Sequence, residues 1–180
     1  MDEKMKVRFS PVKSEMYQLL LTTYCYERKL GSLGDRLKNE SREFLLEEVT
    51  ALRHLSNGII LHICNLEDDR SDWSMRAMTK TMGKIKDYAH RTKECTDILK
   101  RYRAQINEFK TKHRNQFIAH RSGENYPDPF DLPDYRTEFR EIIQTALSAL
   151  QCIWGGSMDF GFHLGSRDRT IDFKKELGVV

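Results

Sequence analysis

Residues 85–120, IKDYAHRTKECTDILKRYRAQINEFKTKHRNQFIAH, place Ile85, Tyr88, Thr92, Cys95, Leu99, Tyr102, Ile106, Phe109, His113, Phe117 and His120 at steps of three and four. That spacing repeats one face of an α-helix and excludes a strand, whose faces alternate with period two. It predicts one long helix, or two joined at a kink, because an uncapped run beyond about 25 residues is unusual. Working outward, Phe44, Leu45, Val49, Leu52, Leu55, Ile59, Ile60, Ile63 and Leu66 form a second such stripe over residues 39–66. Asn57-Gly58 does not break its phase. Ser71 or Asp72 can cap a short helix through Trp73, Met75, Met78 and Met82, all expected to pack in the core. On the other side, residues 121–133 hold three of the four prolines and read as a loop before a last helix over 134–154. Ser10-Pro11 fits the start of a first helix that Gly31 and Gly34 would end.

Composition agrees with the pattern. The chain of 180 residues is 39% apolar and 32% charged, and five of its ten glycines fall after position 154. A chain this long can bury roughly 70% of its unfolded surface, so it needs no staple. So few turn-formers before 154 argue against a sandwich or barrel. The expected fold is all-α: an up-and-down bundle of about five helices over 11–154, a flexible arm over 1–10 and a short irregular tail over 155–180. In that tail Phe160-Gly161-Phe162 suits a short strand or packing onto the bundle. No apolar run approaches the ~20 residues of a membrane span, and MDEKMKVRFS lacks the apolar centre of a signal peptide. A soluble, cytoplasmic protein is expected. Cys25, Cys64, Cys95 and Cys152 make no C-x-x-C pair and read as reduced, packed thiols.

Net charge is only +3, but it is polarised. Residues 84–121 carry eleven Lys/Arg against four Asp/Glu, a balance of +7, whereas 39–72 carry three Arg against eight Asp/Glu, a balance of −5. A basic stripe can track a phosphate backbone, and it can equally be the solvated face of a helix. Phosphate-binding glycine loops, H-E-x-x-H and G-x-S-x-G are absent from the sequence. No metal site is expected, since His113 and His120 stand roughly 10 Å apart along a helix, and no cofactor is implied.

One segment remains: Lys112-His113-Arg114-Asn115-Gln116-Phe117-Ile118-Ala119-His120-Arg121. Its Arg-Asn-x4-His resembles the R-x(4–6)-H motif of HEPN domains, the helical "higher eukaryotes and prokaryotes nucleotide-binding" superfamily. The order of parts is similar to the abortive-infection U-type branch. A Leu/Ile-rich helix ends in an acidic cluster (LHICNLEDD), a short helix follows (SMRAMTKTM), and a long helix runs into HRNQFIAHR. The resemblance implies a metal-independent endoribonuclease working as a homodimer, of a phage-defence or toxin–antitoxin kind, with RNA as substrate and an antitoxin as possible partner. Ser122 stands where members paired with a nucleotidyltransferase antitoxin often carry Tyr.

The residue chemistry suits that reaction. His120, with an ordinary pKa of ~6.5, can move a proton at a ribose 2′-hydroxyl or leaving oxygen. Arg114 offers a permanently charged fork to the phosphoryl oxygens, and Asn115 can orient substrate or His120. Lys110, Lys112, His113 and Arg121 would hold RNA. Six residues on an ideal helix put Arg114 and His120 about 120° and roughly 9 Å apart, so they converge only through a distorted turn or across a two-fold axis. A second reading stays open: a non-catalytic helical dimerisation module or a nucleotide- or protein-binding one, in which His120 continues the apolar seam and Arg114 caps the helix or pairs with acids of the second helix.

Overall fold

Met5, Phe9, Val12, Met16, Leu19 and Leu20 recur at helical spacing and are all buried. The first helix, α1, accordingly spans Glu3–Arg36 and takes in residues expected to form a flexible arm. Pro11 lies inside it rather than at its start. A proline there removes the hydrogen bond to the carbonyl four residues earlier, at a cost of ~3 kcal/mol. Val7, at that position, is 64% exposed, so water can take over its carbonyl. Burying Met5 and Phe9, at about 1.5–3 kcal/mol each, offsets the loss. Gly31 and Gly34 do not end α1 either, which stops only at a short 3-10 turn, Leu37–Asn39.

The computed structural model describes residues 3–109, 132–163, 165 and 170–179. Helix α2 (Arg42–Leu66) begins at Ser41, whose Oγ accepts the Phe44 N–H at 3.2 Å. It runs unbroken through Asn57-Gly58 as the stripe requires. Helix α3 (Met75–Met82) is capped by Ser74 rather than Ser71 or Asp72. Ser71 instead takes the Trp73 N–H within the preceding turn. Met75, Met78 and Met82 are buried as expected, while Trp73 is 51% exposed and stands outside the core. Helix α4 (Lys86–Phe109) buries Cys95, Leu99, Tyr102, Ile106 and Phe109 of the seam.

Asp134 opens the next element. Its carboxylate accepts the Arg136 and Thr137 N–H groups, and the Glu138 carboxylate accepts its own N–H in return. One π-helical turn (Tyr135–Phe139) then leads into α5 (Arg140–Trp154). Gly155, at φ +88°, ends α5 in the left-handed conformation and returns its N–H to Gln151 O. The short tail pairs β1 (Gly161–His163) antiparallel with β2 (Thr170–Asp172), followed by α6 (Phe173–Leu177). Met158, Phe160, Phe173, Leu177 and Val179 bury this tail on the bundle, with the Phe173 ring against Tyr17 and Tyr24 of α1.

The protein is thus an all-α bundle with a short C-terminal tail. α1 packs along α2, α4 along α5, and α3 against both α4 and α5. The cysteine expectation of four reduced, packed thiols holds only for Cys64, since Cys25 is exposed and the other two are bonded. Cys95 of α4 and Cys152 of α5 form a disulfide, with Cα atoms 5.7 Å apart, while Cys25 and Cys64 are outside any disulfide. Helix packing brings together two positions 57 residues apart, a proximity that sequence spacing does not encode.

Candidate functional site

Lys110, Lys112, His113, Arg114, Asn115, His120 and Arg121, the residues singled out for RNA chemistry, lie outside the described residues. What the structure describes is the ground they grow from. α4 carries its cations on the side away from the core: Lys86, Lys93, Lys100, Arg101 and Arg103 are exposed, whereas Tyr102 has no exposed surface. Tyr88 is only partly buried against the core. The basic stripe and the apolar seam are therefore opposite sides of one amphipathic helix.

Several of these cations already have partners. Arg91 donates to the Cys152 carbonyl at 3.2 Å and lies over the Tyr88 ring. Lys100 pairs with Asp97, one turn earlier, at 3.3 Å. Arg103 reaches Asp69 at 3.0 Å and Glu67 at 3.6 Å. Lys93 and Arg101 alternate with His90, Glu94 and Asp97 along an open groove on α4. The described stripe is a mixed-charge surface more than a pure cation track.

The acidic end of α2 forms a compact ionic node. Glu67, only 2% exposed, and Asp69 together face Arg76 of α3 and Arg103 of α4. The hydrogen bond from Arg76 holds the Asp69 carboxyl below its usual range, opposed by desolvation and helped by the Arg103 and Arg76 charges. The cluster Glu67-Asp68-Asp69, which in sequence only marks a helix end, thereby ties the end of α2 to α3 and α4.

A second cluster lies on the neighbouring face of α2. Glu15 of α1 meets His62 Nδ1 at 2.9 Å and accepts from Asn65 Nδ2 at 2.9 Å. Burial raises the Glu15 carboxyl, but the His62 and Asn65 hydrogen bonds and the His62 charge outweigh it, so its pKa is lowered. A carboxylate holding Nδ1 leaves Nε2 as the imidazole's other working nitrogen. His62 and Asn65 stand one helical turn apart, but nothing in the sequence marks Glu15 as their partner. Sequence reasoning missed this cluster for that reason. Among the described residues no group of three His, Cys, Asp or Glu could hold a metal ion, and no helix is long and apolar enough to cross a membrane.

No family model matches this sequence, and comparison with curated proteins and with solved structures returned no match.

Proposed function

We propose that this chain is a metal-independent endoribonuclease of the HEPN kind, resembling the abortive-infection U-type branch and acting in the cytoplasm as a homodimer on RNA. The observation that carries the reading is Arg114-Asn115-x4-His120 in the basic stretch of sequence that follows Phe109, in a chain whose sequence segments resemble that branch in their order. His120 is the proton-transfer group at the ribose 2′-hydroxyl or the leaving oxygen. Arg114 neutralises charge that builds on the phosphoryl oxygens, and Asn115 orients. Lys110, Lys112, His113 and Arg121 hold the strand. Because Arg114 and His120 diverge on a straight helix, two copies of the motif across a dimer axis would complete one site. A phage-defence or toxin role, with an antitoxin protein as partner, goes with this reading.

RNA from cells expressing the wild-type chain, compared with RNA from cells expressing His120→Ala, tests it by mapping new ends. Ends present only with the wild type are expected. Identical RNA in both, from a folded protein, would refute the activity. Binding of RNA to His120→Ala should also weaken steeply with salt, because phosphate contacts release counterions.

A second reading has its own observation. Asp69, Glu67 and Asp97 already neutralise cations of the described stripe, as a non-catalytic dimerisation or binding module would allow. Under that reading His120→Ala changes assembly or partner binding and leaves RNA untouched.

A further inference from the structure

The two sulfurs that join α4 to α5 are not equally accessible. Cys95 has no exposed surface, whereas Cys152 is partly exposed. Cys152 also lines an open groove of about 550 Å³ between the first half of α4 and the end of α5, to which Cys95 does not contribute. This is within the ~300–1,000 Å³ range of small-molecule sites. Arg91 stands over the same place, with Nη1 donating to the Cys152 carbonyl at 3.2 Å. Gly155 makes room for it, since a Cβ there would fall on the guanidinium.

Thiol–disulfide exchange begins when a thiolate attacks one sulfur of the bond and the other sulfur leaves. Access decides which sulfur is attacked, and of the two only Cys152 borders the groove. The lining charges then select the thiol. Arg91 offers a planar fork to a carboxylate, while Asp87 and Glu94 can receive an ammonium group. Tyr88 and Trp154 supply apolar surface between them. A small thiol that carries both an ammonium and a carboxylate matches this lining. In the cytoplasmic setting proposed above, such thiols keep cysteines reduced, and a disulfide there is as a rule transient or redox-sensing.

We propose that Cys152 is a thiol-exchange site for a small zwitterionic thiol of the glutathione class, with Cys95 as the buried leaving and resolving sulfur. The incoming thiol gives its proton to water, and its thiolate attacks Cys152 Sγ. The bond between the two cysteines breaks, and its electron pair goes to Cys95 Sγ, which takes up one proton. A mixed disulfide on Cys152 and a thiol at Cys95 result, with no oxidant consumed. Cys95, held beside Cys152 by the helix packing, reverses the step by attacking Cys152 and expelling the small thiol. α4 and α5 stay packed farther along, where the Phe109 and Phe139 rings stand 5.6 Å apart, so the exchange unlatches the helices at the groove and leaves the bundle folded. Neither cysteine belongs to the Arg114–His120 motif, so the inference goes beyond the ribonuclease reading and shares with it only the cellular setting.

The full-length variants Cys95→Ala and Cys152→Ala lose the same bond and each keep one of its sulfurs. Both are incubated folded with oxidised glutathione, and peptide mapping locates the adducts and separates them from Cys25. Cys152 in the first variant should be modified about tenfold or more faster than Cys95 in the second, since thiol reactivity follows exposure. If either variant fails to fold, the oxidised wild-type chain with reduced glutathione, quenched in acid, makes the same comparison. The trapped adduct is then expected on Cys152, with Cys95 as a thiol. β-Mercaptoethanol, which is uncharged, tests the groove. Relative to the unfolded chain, folding should favour glutathione over it by about threefold or more, and Arg91→Ala should remove that preference. An adduct on Cys95, equal modification of both positions, or a Cys152 no more reactive than the buried Cys64 would overturn the exchange site. A preference absent from the wild type, or unchanged in Arg91→Ala, would overturn the choice of thiol. No step reads RNA, so the outcome is independent of the ribonuclease.

Discussion

Replacing Tyr102 by Phe isolates one hydrogen bond that holds α2 and α4 in register. Tyr102 has no exposed surface, and its hydroxyl donates to the Ile63 carbonyl at 2.7 Å. Ile63 sits in the last turn of α2, where carbonyls run out of N–H partners four residues on. The Glu67 N–H turns to the Cys64 and Asn65 carbonyls instead, so a side chain from α4 supplies what the helix lacks. Burial, with the Cys64, Glu67 and Glu15 charges adding to it, pushes the Tyr102 phenol well above its usual range, so it stays a donor throughout neutral pH. Phe preserves the ring's volume and creates no cavity. The loss is the bond plus a stranded buried carbonyl, about 1–3 kcal/mol. Tyr26→Phe is the internal comparison. The Tyr26 hydroxyl donates to Pro133 O at 2.7 Å, but Pro133 is only half-buried. Water can replace that donor, so the cost is about 0.5–1 kcal/mol. Urea unfolding at constant m-value separates the two. For a chain of this length, a loss of about 2 kcal/mol lowers Tm by roughly 4–8 °C. A smaller loss for Tyr102→Phe than for Tyr26→Phe would refute the argument that the buried carbonyl sets the cost.

Three further outcomes follow from the fold. Gly155→Ala should destabilise by about 1–2 kcal/mol in thermal melts, since φ is +88° and a Cβ would fall on the Arg91 guanidinium; a neutral variant would mean that the α5 terminus is free to rearrange. Thiol titration of the unfolded, unreduced protein should find two thiols, Cys25 and Cys64, and reduction should expose Cys95 and Cys152 as well. Opening that 57-residue loop should cost up to about 4 kcal/mol in stability by loop entropy, and four thiols before reduction would disprove the bond. Because the Glu15 carboxyl is lowered in the folded state, its contribution is present above the ordinary glutamate pKa and is lost as pH falls through the folded value. Glu15→Gln should therefore flatten the acid side of a stability–pH curve measured by urea unfolding, and an unchanged acid limb would contradict the linkage.

Helix periodicity made the bundle legible. The stripes are buried where their spacing put them from Val49 to Leu66, from Cys95 to Phe109 and from Phe139 to Ile153, apart from Leu55, while Phe44, Leu45, Ile85, Tyr88 and Thr92 are only partly buried. Local end signals were less dependable. Ser10-Pro11 and Gly31 read as a start and a stop, yet α1 passes through all of them. The energy of burying Met5 and Phe9 against distant helices outweighs a local preference worth less. The candidate site divides the same way. Arg114, Asn115 and His120 are contiguous enough to be seen as a pattern in the chain, whereas Glu15, His62 and Asn65 come together only because α1 packs along α2. The acidic run Glu67-Asp68-Asp69 was visible as charge, but its pairing with Arg76 and Arg103 was not.

By itself, the sequence determined that this chain is helical, where most of its apolar faces lie, and that one basic segment carries the Arg114-Asn115-x4-His120 pattern. These properties follow from period and residue chemistry, which act over a few turns. Only the tertiary structure decided that the tail is part of the core and that Cys95 meets Cys152 at the edge of an open groove. Those depend on contacts between residues dozens of positions apart, where burial of apolar area chooses the neighbours and local spacing is silent.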